Sequence, residues 1–198
     1  MQVNKNVLRQ GLRERRRSLS GPESAWLSGM ICRSASLLPA YVRARSIGVY
    51  CPVDGEVDPD QLKVHAVGEK KSVSLPVIDA TGSGMFFALW TPDTLMEPGP
   101  WGILQPRGSR DDGDRVAEAL EVIFLPVVGF DRHGWRLGYG GGYFDRYLAH
   151  HAPGVCRVGL AYGFQEVDAI PAEPHDQKLH YVVTERGVMQ FQDPPFFE

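Results

Sequence analysis

Between Arg136 and Tyr147 the chain reads RLGYGGGYFDRY, with Gly138, Gly140, Gly141 and Gly142 crowded around the single Tyr139. Glycine tolerates positive φ and leaves its amide unshielded, so such a run can cradle phosphate oxygens with backbone N–H groups. A helix starting at Tyr143 would aim its partial positive charge at the same anion. Arg136 is a candidate counter-charge on one flank. Asp145, one turn into the helix, is a candidate Mg²⁺ ligand, because Mg²⁺ prefers one or two carboxylates completed by phosphate and water. The spacing is neither G-x-x-x-x-G-K-[ST] nor a G-x-G-x-x-G placed directly after a strand. From these residues alone, a glycine turn that binds nothing stays open.

A second set of charges opens the chain. Lys5, Arg9, Arg13, Arg15, Arg16 and Arg17 stand against Glu14 alone. Lys5 and Arg9, four apart, share one helical face. Arg13 continues their row and Arg15 to Arg17 spread around the axis, so Arg13 to Arg17 are expected to be solvated charges. Net charge is −3 over 198 residues, which argues against a broad nucleic-acid surface. Cys32, Cys51 and Cys156 are odd in number and far apart, so neither a disulfide framework nor a thiolate zinc site is expected. The histidines lack a ligand spacing that would hold a transition metal.

These residues need a scaffold. A helix is expected from Asn4 to about Leu19, with Val7, Leu8, Leu12 and Leu19 as its apolar stripe. Ser20, Pro22 and Glu23 start a second helix that stops at Pro39, its broad apolar face built from Trp26, Leu27, Met30, Ile31, Leu37 and Leu38. SIGVYC (46–51) reads as a strand, Asp58-Pro59 as a new helix start, and SVSLPVI, GMFFALW, CRVGLAYG and LHYVVTE as further strands. Thr91 to Ala119 reads as one long surface loop with GILQP pinned to the body. EVIFLPVVGFD is the strongest buried strand, and it runs into the glycine loop. Strands alternating with helices predict a three-layer αβα single domain over 1–198, with a largely parallel sheet covered on both faces and residues 1–38 packed on it as a helical pair. With no apolar span of membrane length and no apolar stretch of secretory type, a soluble, cytoplasmic monomer is expected.

FDRHGWRLGYGGGYFDRYL closely resembles the signature of the 5-formyltetrahydrofolate cyclo-ligase family, also called 5,10-methenyltetrahydrofolate synthetases. KNVLR, YCPVDGEVD, SLPVI, MFF, GILQP, LPVVGFD, HDQKL and VVTE follow the family pattern in order over nearly the whole chain. The resemblance implies ATP- and Mg²⁺-dependent closure of 5-formyltetrahydrofolate to 5,10-methenyltetrahydrofolate. It implies ATP contacts at Lys5, Arg9 and the segment Arg136, Leu137, Gly138, Tyr139, Gly140, Gly141, Gly142, Tyr143 and Phe144, with Arg136 and Asp145 as the catalytic pair. It places the folate at Cys51, Glu56, Tyr139, Gly140, Gly141, Gly142 and Tyr143, and the metal at Asp145 and Asp176. Tyr139, Tyr143 and Phe144 would wall or stack on the pterin, with core packing as the other role for these rings. The pattern departs from the family at Phe144, where a second tyrosine is common, at Gln105, often glutamate, and at His180, often aspartate. A nucleic-acid binder and a non-catalytic nucleotide or folate binding domain are the rival readings.

Overall fold

The computed structural model describes residues 4–79, 81–108 and 119–195. Helix α1 (Lys5–Arg17) begins at Asn4, whose side chain accepts from the Asn6 amide, and ends at Ser18. Leu8 and Leu12 turn inward, but Val7 is exposed. Helix α2 (Gly21–Ser36) is capped by Ser20, which accepts from the Glu23 amide. Pro39 does not merely stop it. It opens a third short helix, α3 (Pro39–Arg43), in the first turn, where its missing N–H is no loss.

The buried face of α2 matches the expected one only in part. Ile31 and the following Leu38 are buried as expected, but Trp26 and Leu37 are 65% and 71% exposed, and Ser28, Cys32 and Ala35 are buried in their place. Apolar residues occur all round this helix, and the line of smaller side chains faces inward because it lets the helix approach its neighbours closely.

The chain continues through β1 (Ser46–Gly48), α4 (Asp60–Gly68), β2 (Ser72–Ile78) and β3 (Met85–Trp90). The stretch expected as one loop instead forms a small hairpin, β4 (Met96–Pro98) and β5 (Leu104–Pro106), joined across Pro100–Gly102. Residues 109–118 of that stretch lie outside the described residues. Next come β6 (Val122–Pro126), β7 (Gly129–Asp131), β8 (Arg136–Leu137), α5 (Tyr143–His150), β9 (Cys156–Leu160), β10 (Glu166–Val167), β11 (Tyr181–Thr184) and β12 (Gly187–Gln190). The single strand expected over EVIFLPVVGFD is therefore two. Past Pro126 the chain leaves the central sheet, and β7 joins β8 and β10 in a separate three-stranded sheet.

The seven-stranded sheet has the order β12-β11-β9-β6-β1-β2-β3, with parallel pairing from β11 to β2 and antiparallel strands at both edges. Side chains alternate between its two faces. Val122 and Phe124 join one apolar cluster with residues of α2, α3 and α4, while Ile123 and Leu125 join another with Leu148 of α5. The expected layers are therefore present, and each large apolar side chain so buried contributes about 1.5–3 kcal/mol. No helix among the described residues is long and apolar enough to cross a membrane.

Strand β1 is followed by a crossover to β2 on one side, and β6 by a crossover to β9 on the other, yet β1 and β6 are neighbours. The sheet thus reverses direction between them, and the crevice beyond their carboxyl ends is where open α/β sheets take ligands.

Candidate active site

Two loops reach this crevice. After β1, the chain makes the turn Val53-Asp54-Gly55-Glu56. Asp54 and Gly55 both hold positive φ, at 54° and 74°. After β6, the hairpin β7–β8 returns the chain so that Val128 N donates to Leu137 O, and the glycine loop departs from that level. Gly140 and Gly142 take φ of 102° and 65°, a region that a residue with a Cβ rarely adopts.

Helix α1 lies across both loops. Arg9 Nε donates to Gly138 O at 2.8 Å, and its guanidinium carbon lies 3.6 Å from where a Cβ of Gly140 would stand. Lys5 Nζ lies 2.8 Å from Glu173 Oε1 and 3.2 Å from Asp176 Oδ2. Three arginines of the same helix converge on Asp54: Arg13 at 2.6 Å, Arg16 at 3.1 Å, and Arg17. Arg16 also donates to Asp54 O and to the Tyr139 hydroxyl. Burial alone would raise the Asp54 pKa, but the hydrogen bonds and charges of these arginines carry it below its usual value. The expectation of solvated charges from Arg13 to Arg17 is therefore corrected. Arg16 is 1% exposed, and Arg15 lies over the Phe164 ring at 4.6 Å.

Arg136 is buried, and its Nη1 meets Asp145 Oδ1 at 2.9 Å. The same carboxylate oxygen accepts from the Gln177 amide at 3.0 Å, which draws the segment after Asp176 up to α5. Tyr143 donates its hydroxyl to Gly82 O, meets Trp101 edge-on at 5.6 Å, and carries the Arg146 guanidinium over its face. Trp101 stands 72% exposed with φ of 58°, a strained setting for a bulky residue.

Two of the loop side chains turn away. Leu137 is buried with Val128 and Ile170, and Phe144 packs edge-on to Phe87 at 6.5 Å. Both side chains pack on the body of the fold, Leu137 fully and Phe144 in part. Cys51 is half-buried against the core. His180 is a packing residue too: its Nδ1 accepts from the Arg157 amide. Gln105 is buried and accepts from the Ile78 amide with one amide oxygen.

Glu56 is the most perturbed acid of the crevice. Burial pushes its pKa up to about 7, against the Val53 amide, the field of Arg16 and the Tyr139 hydroxyl, all of which favour the carboxylate. Burial and the Arg157 charge instead push His180 down to about 4. Opposite slopes of stability follow. Between pH 4.5 and about 7 the folded chain holds a proton on Glu56 that the unfolded chain has lost, so stability falls as pH rises. Between about 4 and 6.5 the unfolded chain holds a proton on His180 that the folded chain refuses, so stability rises. Glu56→Gln should therefore leave the rising His180 slope alone and make the variant more stable than the parent at pH 8, by at most about 3 kcal/mol. Thermal midpoints of both proteins at pH 5 and 8 check this; equal midpoints at pH 8 would show that the carboxylate bears no desolvation penalty.

What sequence reasoning missed here is the clamp. Asp54 stood only inside the stretch YCPVDGEVD, and Arg16 was one of several basic residues. The periodicity did hold a signal: Arg16 comes eleven residues, about three turns, after Lys5 and so returns to its face. Two surface clefts of about 360 and 660 Å³ lie elsewhere, one around Arg132, Phe164 and Arg186, the other around Trp26, Met30 and Gln61. Neither contains the glycine loop. The candidate site is placed instead by the strand switch and by the buried charges, Arg16, Glu56 and Arg136, that gather there.

Residues 1–185 match the model of the 5-formyltetrahydrofolate cyclo-ligase family. The chain is 32% identical to the 5-formyltetrahydrofolate cyclo-ligase of Haemophilus influenzae, over 87% of this chain and 92% of that one. It is 30% identical to the enzyme of the same name from Escherichia coli K12, over 91% of this chain and 100% of the other. Among solved structures, 5,10-methenyltetrahydrofolate synthetase of Aquifex aeolicus superposes with a TM-score of 0.80 at 30% identity, covering 98% of this chain and 96% of that one.

Proposed function

Because the chain belongs to the 5-formyltetrahydrofolate cyclo-ligase family, we propose that it closes 5-formyltetrahydrofolate to 5,10-methenyltetrahydrofolate at the expense of ATP, releasing ADP and phosphate. The formyl oxygen is a poor leaving group. Transfer of the γ-phosphoryl group to it makes a good one, N10 attacks the activated carbon, the ring closes and phosphate departs. The protein's contribution is to position two substrates and to neutralise phosphate charge.

In this reading the backbone amides of Gly138 to Tyr143 cradle the phosphates. Lys5 and Arg9 neutralise them from α1, and Arg136, oriented by Asp145, faces the transferred group. Glu56 and Tyr139 take the pterin end, and the Tyr143–Trp101 pair flanks the groove. Asp145 Oδ2 has no hydrogen-bond donor among the described residues, and Asp176 lies next to Gln177, which Asp145 binds. Those residues contain no cluster of three or more His, Cys, Asp or Glu side chains that could hold an ion. Such a donor set fits a Mg²⁺ completed by phosphate and water rather than caged by protein, held by Asp145 and Asp176. Mg²⁺ there would supply charge neutralisation on the phosphates.

The observation that carries this reading is the seating of Arg9 on Gly138 and Gly140 in the same crevice as the buried Glu56. Purified protein with Mg-ATP and 5-formyltetrahydrofolate should yield the methenyl product, followed by its absorbance, with one ADP per product. Binding of both substrates without turnover would favour a non-catalytic domain on the same scaffold.

A further inference from the structure

Two buried polar atoms of opposite sense stand unused at the pterin end of the crevice. Arg16 is 1% exposed and Glu56 7%. Arg16 spends Nε on Asp54 O and Nη2 on Asp54 Oδ2 and the Tyr139 hydroxyl, but its Nη1 has no hydrogen-bond partner among the described residues. Glu56 spends Oε2 on the Val53 amide at 2.9 Å, and its Oε1 is likewise without a partner. Buried donors and acceptors are nearly always paired. These two have not been joined to each other, although the charge of Arg16 is felt at Glu56 and the Tyr139 hydroxyl interacts with both. An unpartnered donor and an unpartnered acceptor, on two side chains that both engage Tyr139, complement an edge that presents a carbonyl oxygen next to an N–H.

We propose that Arg16 is a specificity residue of the site, donating from Nη1 to the ring carbonyl of the pterin while Glu56 Oε1 accepts from the neighbouring ring N–H. This rests on the reading of the chain as a reduced-folate enzyme and adds to it a residue from α1. Only the 4-oxo ring meets both atoms. A 4-amino ring offers Arg16 a donor where it needs an acceptor, and sites built to hydrogen-bond a substrate reject analogues that leave buried groups unpaired.

The test is direct binding, by calorimetry, of 5-formyltetrahydrofolate and its 4-amino counterpart to the full chain and to Arg16→Lys. The parent should prefer the 4-oxo ring, and Arg16→Lys should lose about tenfold or more of that preference, the size of one charge-assisted hydrogen bond, with ATP affinity unchanged. If Arg16→Lys does not fold, Arg16→Gln takes its place. Equal weakening of both rings by the variant would make Arg16 merely structural and overturn the proposal. A parent that binds both rings equally overturns it without any variant. A parent that binds neither overturns the folate reading itself.

Discussion

Asp54→Ala should destabilise the protein by about 3 kcal/mol or more, because removing one partner of a buried ion pair leaves the other charge without compensation. Arg16 is the charge concerned. It is buried, and Asp54 meets it with both a carboxylate oxygen and a backbone carbonyl. Arg13 and Arg17 lose their common partner in the same step. Part of the loss will come from the backbone, since Asp54 holds φ of 54° and alanine tolerates that region less well than aspartate or asparagine. Asp54→Asn separates the two causes: it keeps the turn and an acceptor oxygen but removes the charge. Urea unfolding of both variants is the measurement. A loss below about 1 kcal/mol in Asp54→Ala would mean that the clamp is no stronger than a surface ion pair.

Arg136→Gln should lower kcat by roughly 10²–10³, the range seen when a preorganised group that stabilises transition-state charge is removed. The guanidinium is buried and held by Asp145, which would orient it ahead of the phosphate in the proposed reaction. Its removal should act on kcat more than on the KM of the folate, because the interaction strengthens as charge moves onto the transferred group. Arg136→Lys should recover little. Arg136 spends one nitrogen, Nη1, on both Asp145 Oδ1 and Gln177 O, and a lysine holding its single ammonium there would have no second arm of a planar fork to offer. Steady-state kinetics of the two variants decide the matter, and a kcat for Arg136→Gln within about threefold of the parent would remove Arg136 from the chemistry.

The layers and the glycine loop were legible in the sequence because they rest on local signals. Alternating apolar residues mark Val122 to Leu125 as a strand with two buried faces, and the positive φ at Gly140 and Gly142 favours glycine. The pairing of Lys5 and Arg9 on one face was equally readable, since helical period is local. What was not legible depends on partners far along the chain. Nothing near Arg16 says that Asp54 will receive it, and nothing in Trp26 or Leu37 says that they will face solvent while Ser28 and Ala35 face the body. The split of EVIFLPVVGFD had a visible cue in Pro126, but the strand that captures the second half, β10, comes from residues 166–167. The reversal of strand order between β1 and β6 is a property of the whole chain path, and no window of sequence contains it.

Helix α1 touches the two ends of the groove with residues on one face: Lys5 at the Asp176 end and Arg16 at the Tyr139 end. Eleven residues of α-helix advance about 16 Å, at about 1.5 Å each. On the proposed function, the helix acts as a gauge, setting the distance and phase between the place where phosphate charge is met and the place where the ring is read. A single residue inserted between Arg9 and Arg13 would swing one end by about 100° relative to the other. Both half-sites could survive such a change intact, each able to hold its own ligand, and still be out of step with one another.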